Sequence, residues 1–144
     1  MNYRHHFHAG NFADVMKHAL LVWLVSAMQR KDKGFLYLDT HAGRGSYDLA
    51  DASRGDSLAR DPEWPDGVGR LWNASHPPAI TRDYLDIVRA YNRERGNEDA
   101  TPRYYPGSPL IVSRMLREQD RMLLCERQPE ECEELDIAMG RQKR

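Results

Sequence analysis

The chain has 144 residues, 40% of them hydrophobic and 30% charged, with a formal net charge of -1. That length suits one ordinary domain, and the composition argues against disorder throughout. A near-neutral charge excludes a global basic field, so any nucleic-acid partner has to be met by a local patch. Cys125 and Cys132 match neither a C-x-x-C redox pair nor a zinc half-site and read as reduced thiols. The longest apolar run, Ala19 to Met28 with Ser26 inside it, is too short to cross a bilayer, and no signal peptide precedes it. The expectation is a cytoplasmic protein with no membrane partner.

The start of the chain, Tyr3-Arg4-His5-His6-Phe7-His8, interleaves histidine with aromatics and an arginine. No acid or cysteine accompanies it at ligand spacing, so no metal is expected there. The tail also reads as disordered. Asn11 is placed to cap a helix, and Asp14 three residues on favours a helix N-terminus. Phe12, Val15, Met16, Ala19, Leu20, Trp23, Leu24, Ala27 and Met28 then recur at steps of three and four. That spacing predicts one helical stripe facing a core, with Asp14, Lys17 and His18 beside it. Arg30 to Lys33 and then Gly34 end the helix.

Phe35 to Leu38 reads as a buried strand closed by Asp39, and residues 40–47, with Gly43 and Gly45, read as a loop. A strand that stops at an acid and enters a G-x-G loop is how a Rossmann-type sheet presents a nucleotide-like ligand. Residues 48–102 change character, being polar and proline-rich, with helical stripes at Val68, Leu71 and Trp72 and at Ile80, Tyr84, Ile87, Val88 and Tyr91. They hold too few apolar residues to fold alone and read as a helical insertion. The sheet pattern resumes at Tyr104. Ser108-Pro109 reads as a cap followed by proline at the first helical position. Met122 to Cys125 reads as a second strand closed by Glu126, and Pro129 opens a last helix carrying Cys132, Leu135 and Met139.

The chain therefore divides into 1–47 (tail, first helix, first strand, G-x-G loop), 48–102 (insertion) and 103–144 (continuation of the first unit). Without the insertion the order is strand, glycine loop, helix, strand, acid, helix: an α/β chain forming the first half of a doubly wound sheet. An acid after the second strand reaches the hydroxyls of a ribose, through bonds worth about 1.5–3 kcal/mol each. Glu126 holds that place, displaced along the chain by the insertion. Asp48 stands where a third glycine would complete a pyrophosphate fingerprint, which disfavours a dinucleotide oxidoreductase and suits a cofactor without phosphates, such as S-adenosyl-L-methionine.

On pattern alone other readings stay open. His18 also reads as a half-exposed helix residue, Ser108 as a cap and Glu126 as a solvated acid. Gly43 and Gly45 also read as a simple turn, and Asp39 as a loop-bonding acid.

Several segments, however, carry a specific likeness: His8-Ala9-Gly10-Asn11, Ala13-Asp14-Val15, Lys17-His18, residues 35–43 and residues 103–111. Together they resemble the RlmJ family (formerly YhiR), and the resemblance covers essentially the whole chain outside the insertion. It implies a Rossmann-like methyltransferase fold, of which this chain is the N-terminal half. It also implies transfer of a methyl group from S-adenosyl-L-methionine to the N6 amine of an adenine in 23S ribosomal RNA, by a protein monomeric when intact. By motif, cofactor contacts fall on His18, His41, Ser108 and Glu126, and the RNA-touching tail puts Tyr3 in a substrate role. His41 would meet the methionine part, Ser108 would meet a carboxylate, and Tyr3 would stack on a base or bind a phosphate.

The family's catalytic motif, Asp-Pro-Pro-Tyr, does not occur in this sequence. The catalytic Asp is expected beyond Arg144, no catalytic residue is expected within the chain, and the chain is expected to be incomplete and inactive alone. The alternative is a fragment that holds cofactor or RNA without turnover.

Overall fold

The computed structural model describes residues 7–51 and 61–140. Tyr3, and with it most of the His-rich tail, lies outside the described residues. Helix α1 runs Phe12–Met28, opened by Asn11, whose side chain accepts from the Asp14 N–H. Strand β1 (Leu36–Asp39) and the short strand β2 (Ser46–Asp48) follow. A 3-10 turn at Trp64–Asp66 leads into α2 (Val68–Trp72) and α3 (Ala79–Glu94). The chain then forms β3 (Tyr104–Pro106), α4 (Ser108–Ser113), β4 (Arg121–Leu124) and α5 (Pro129–Ala138). Among the described residues no helix is long and apolar enough to cross a membrane.

The fold is mixed α/β and contains a parallel pair of strands. The pair lacks the burial expected of residues 35–38: Leu36, Leu38 and, in β4, Leu123 are exposed, because the core cluster forms between α1, α3, β2, β3 and α4 instead. β1 and β4 pair in parallel, Leu36 opposite Arg121 and Asp39 opposite Leu124, so Asp39 and Glu126 come together at one edge. A parallel pair needs a long crossover, and everything between β1 and β4 supplies it. β2 and β3 form a separate antiparallel pair, Tyr47 opposite Tyr105. The last two residues of the segment expected to be loop, 40–47, are thus the start of a strand. Its partner is more than fifty residues away, beyond any local signal.

The core corrects the reading of α1. Phe12, Met16, Leu20, Trp23, Leu24 and Met28, six members of the stripe expected to face inward, are exposed. The buried residues are Asp14, His18, Ala19, Val22 and Val25. The cause is the partner: α3 and α4 pack on the other side of α1, where Tyr84, Leu85, Val88 and Ile111 meet Ala19 and Val22. The helical stretch read as an insertion therefore supplies the centre of this core. It also holds the end of the tail and the residues after it, since Glu63 N–H donates to Phe7 O at 3.1 Å and Val68 N–H to Gly10 O at 2.9 Å. The Glu63 carboxylate takes Asn11 Nδ2 at 2.7 Å and lies 2.9 Å from His8 Nδ1.

Candidate cofactor site

At the carboxyl edge of the parallel pair the backbone is tied across the strands. Cys125 N–H donates to Asp39 O at 2.8 Å, and Ala42 N–H to Cys125 O at 3.0 Å. Between them runs the glycine loop, with φ +63° at Gly43 and +78° at Gly45. That left-handed conformation suits glycine, and space demands it as well. A Cβ on Gly43 would sit 3.0 Å from the Tyr47 hydroxyl, and one on Gly45 3.1 Å from Leu135. The loop also braces β3, since Gly107 N–H donates to Gly45 O at 2.7 Å.

Two carboxylates stand at this edge. Asp39 accepts from Tyr37 Oη at 2.9 Å, from Ser108 Oγ at 2.8 Å and from the His41 N–H at 3.1 Å. Glu126 accepts the Gly43 N–H on one oxygen at 2.9 Å and the Gln128 N–H on the other at 2.8 Å. Burial and the neighbouring Asp39 push the Tyr37 phenol well up, so it stays a donor. Ser108 is not the cap expected of it. Gly107 occupies the cap position and Ser108 is the first helical residue, because its hydroxyl is engaged by Asp39 across the chain.

Beside them lies a cavity of about 360 Å³, lined by His18, His41, Ser108 and Glu126 together with Asp14, Lys17, Tyr47 and Glu131. A second, more open cavity of about 560 Å³ shares His18, His41 and Ser108 and extends past Tyr37 and Leu38. All four residues singled out for cofactor contact thus converge on one space, although they come from α1, the β1 loop, α4 and the end of β4. His41 is exposed at the rim, its Nδ1 3.0 Å from Thr40 Oγ1. His18 is buried, its Nδ1 2.8 Å from the Tyr105 hydroxyl. Asp14, 2% exposed, pairs with Lys17 Nζ at 2.8 Å and accepts the Gly10 N–H at 3.0 Å.

Other groups at and around the cavity carried no local signal. Arg44 grips Glu131 through two parallel bonds, Nε to Oε2 at 2.9 Å and a second from Nη2 to Oε1, a bidentate geometry that pins α5 to the glycine loop. The Glu131 carboxylate accordingly holds the Arg44 guanidinium above its usual value. Tyr47 is buried and its phenol is pushed well up by desolvation, with the charge of Glu131 adding to it. β3 is anchored behind the cavity by Asn92, 0% exposed, whose side-chain oxygen accepts the N–H groups of Arg103 and Tyr104, each at 3.0 Å.

A model of the family described as ribosomal RNA large subunit methyltransferase D, RlmJ, matches residues 32–144. Two curated relatives carry the name ribosomal RNA large subunit methyltransferase J. The Escherichia coli (strain K12) protein is 43% identical over 129 residues, which is 90% of this chain and 43% of that protein. The Haemophilus influenzae protein is 41% identical, with the same coverage of both. A crystal structure of a protein from Legionella pneumophila str. Philadelphia 1 superposes with a TM-score of 0.72 at 38% identity, over 88% of this chain and 43% of that one. The chain thus spans less than half the length of the relatives it matches.

Proposed function

The chain belongs to the RlmJ family of ribosomal RNA large subunit methyltransferases, and from that membership we propose that the whole protein methylates an adenine N6 amine of 23S ribosomal RNA using S-adenosyl-L-methionine. In this reading the parallel pair is the start of a Rossmann-like sheet, and residues 48–102 are a helical insertion within it. The observation that supports it most is convergence: His18, His41, Ser108 and Glu126 line one cavity at the carboxyl ends of two parallel strands.

The lining fits such a cofactor. A volume of about 360 Å³ is within the range of small-molecule sites. A Cβ on Gly43 would press on the Tyr47 hydroxyl at 3.0 Å, so glycine lets the backbone itself form the wall. Glu126 keeps acceptor capacity beyond its two backbone donors, enough for both hydroxyls of a ribose. His18, His41, Ser108 and Glu126 would hold the cofactor, which supplies an electrophilic methyl group when bound. Around it, Asp39 orients Ser108 and the His41 backbone, and the Arg44–Glu131 pair fixes the loop and α5 in place. Tyr3 is proposed to meet the RNA. The Asp-Pro-Pro-Tyr motif is not in this sequence, so the groups that hold the target amine are assigned to residues other than these 144. Turnover by these 144 residues alone is therefore not expected.

Titration calorimetry of the chain with S-adenosylhomocysteine, S-adenosylmethionine and NAD tests the reading. The two adenosyl amino acids should bind and NAD should not. Tighter binding of NAD would overturn the methyltransferase pocket.

A further inference from the structure

Behind the cavity wall three polar groups stand in a buried file. His18 Nδ1 lies 2.8 Å from the Tyr105 hydroxyl, which lies 3.0 Å from the Tyr84 hydroxyl. Both tyrosines are 0% exposed and His18 is 3% exposed. The His18 and Tyr105 rings stack with centroids 5.7 Å apart. Burial pushes both phenols well up from their ordinary value, so each carries a proton that needs an acceptor.

The distances allow the protons to run in either of two directions. If His18 Nδ1–H donates to Tyr105 and Tyr105 donates to Tyr84, the proton of Tyr84 is stranded. Among the described residues the Tyr84 hydroxyl has no partner other than Tyr105. If instead Tyr84 donates to Tyr105 and Tyr105 donates to His18 Nδ1, both hydroxyl protons are used. A buried donor without an acceptor costs more than an ordinary hydrogen bond contributes, so the second direction wins. An imidazole that accepts at Nδ1 and is neutral carries its own proton on Nε2.

We propose that Tyr84 and Tyr105 are positioning residues that hold His18 in its Nε2–H tautomer, so that His18 meets the cavity as a hydrogen-bond donor and takes the carboxylate of an amino-acid-bearing ligand. The polarity of the cavity supports the choice of carboxylate. Its lining from α1 carries His18 and the Lys17 ammonium, while its lining after β4 carries Glu126 as an acceptor. Asp14 in the α1 lining is paired with Lys17 and with the Gly10 N–H. A ligand with a carboxylate at one end and ribose hydroxyls at the other is thereby oriented along the cavity. The choice of ligand rests on the proposed cofactor reading; the tautomer does not.

The first measurement uses the native chain with nitrogen-15 histidine. Long-range proton–nitrogen correlation spectra should give His18 a pyrrole-like Nε2 and a pyridine-like Nδ1. The reverse pattern overturns the proposal outright. The second measurement compares ligands by calorimetry. Tyr105→Phe should weaken S-adenosylhomocysteine about tenfold, the loss of one well-held bond to a charged group. The same variant should leave 5′-methylthioadenosine, which lacks the amino-acid part, unchanged. Equal weakening of both would mean that Tyr105 acts only on folding. Tyr84→Phe leaves Tyr105 free to donate and should preserve the Nε2–H pattern, whereas a switch to Nδ1–H would overturn the direction assigned here. Should neither adenosyl compound bind a native chain whose Nε2 is protonated, the cofactor reading falls while the tautomer stands.

Discussion

The two ends of the parallel pair put carboxylates to different uses. At the amino edge, Asp120 is 5% exposed and saturated. It takes the Phe35 N–H at 3.2 Å, the Arg117 N–H at 2.9 Å, Arg117 Nε and Nη2 at 3.1 Å each, and Gln29 Nε2 at 3.4 Å. Arg117 passes on to Gln29 O and Lys31 O at 3.0 and 2.9 Å, so the turn before β1 and the turn before β4 are one knot. At the carboxyl edge, Glu126 accepts two donors and faces a cavity. An ionised carboxylate has about four lone-pair sites. One whose sites are filled from within is structural, and one with sites to spare at a cavity has the capacity to accept from a ligand. Residue type and strand-end position are alike at both edges; the number of internal donors tells them apart.

Glu126→Ala should give the largest effect and bear on ligand alone. Removing two bonds to ribose hydroxyls, at about 1.5–3 kcal/mol each, should lower S-adenosylhomocysteine affinity on the order of hundredfold or more. The Gly43 and Gln128 N–H groups sit in half-exposed or exposed loops, where water replaces the lost acceptor, so stability should fall by about 1 kcal/mol or less. A large drop in melting temperature with affinity intact would place Glu126 with Asp120 among the structural acids.

A similar contrast divides α1 and its neighbours. Leu85→Ala, at a site 0% exposed against the inner face of α1, should cost about 2–5 kcal/mol through lost burial and a cavity. Trp23→Lys, on the outer face where Trp23 is 57% exposed, should change stability by no more than about 0.5 kcal/mol. Urea unfolding of the two variants checks both figures. A cost for Trp23→Lys equal to that for Leu85→Ala would restore the inward stripe that periodicity suggested.

That stripe shows where sequence reading ran out. Local patterns carried the Asn11 cap, the positions of β1 and β4 to within a residue, the glycine loop and the acid at 126, because each is fixed by neighbours in the chain; they did not carry the exposure of β1, whose Leu36 and Leu38 were expected to be buried. The face of α1 was not legible, because this helix has apolar residues all round, Val22 and Val25 as well as Met16 and Trp23. Which side is buried depends on α3, more than fifty residues away. Asp14 and His18 looked too polar for the inside. Gly10 and Lys17 help to satisfy Asp14, and Tyr105 helps to satisfy His18, and Tyr105 is remote in sequence. Ser108 misled for the same reason, its hydroxyl being engaged by Asp39 across 69 positions. The four candidate contacts were named through family likeness; their meeting in one cavity is a tertiary fact that no single segment contains.

Asp120→Asn should give a modest loss, with a pH signature that Glu126→Ala lacks. The Arg117 side chain, foremost, and the backbone N–H groups of Arg117 and Phe35 hold the Asp120 carboxyl well below the usual carboxylate range, against the opposing effect of burial. A carboxyl whose folded value is depressed stabilises the fold fully above its unfolded value, near pH ~4. As pH falls through that value towards the folded one, the unfolded chain takes up a proton that the folded chain still refuses, and the stabilisation drains away. The asparagine keeps the shape and an acceptor oxygen but neither the charge nor the titration. At pH 7 the variant should therefore melt several degrees below the native chain, and the gap should narrow steadily from about pH 5 downwards. Thermal melts of both proteins at intervals between pH 7 and pH 3 read that gap directly. A gap that stays constant over the whole range would mean that Asp120 acts through geometry alone and that its charge contributes nothing to the knot at the amino edge.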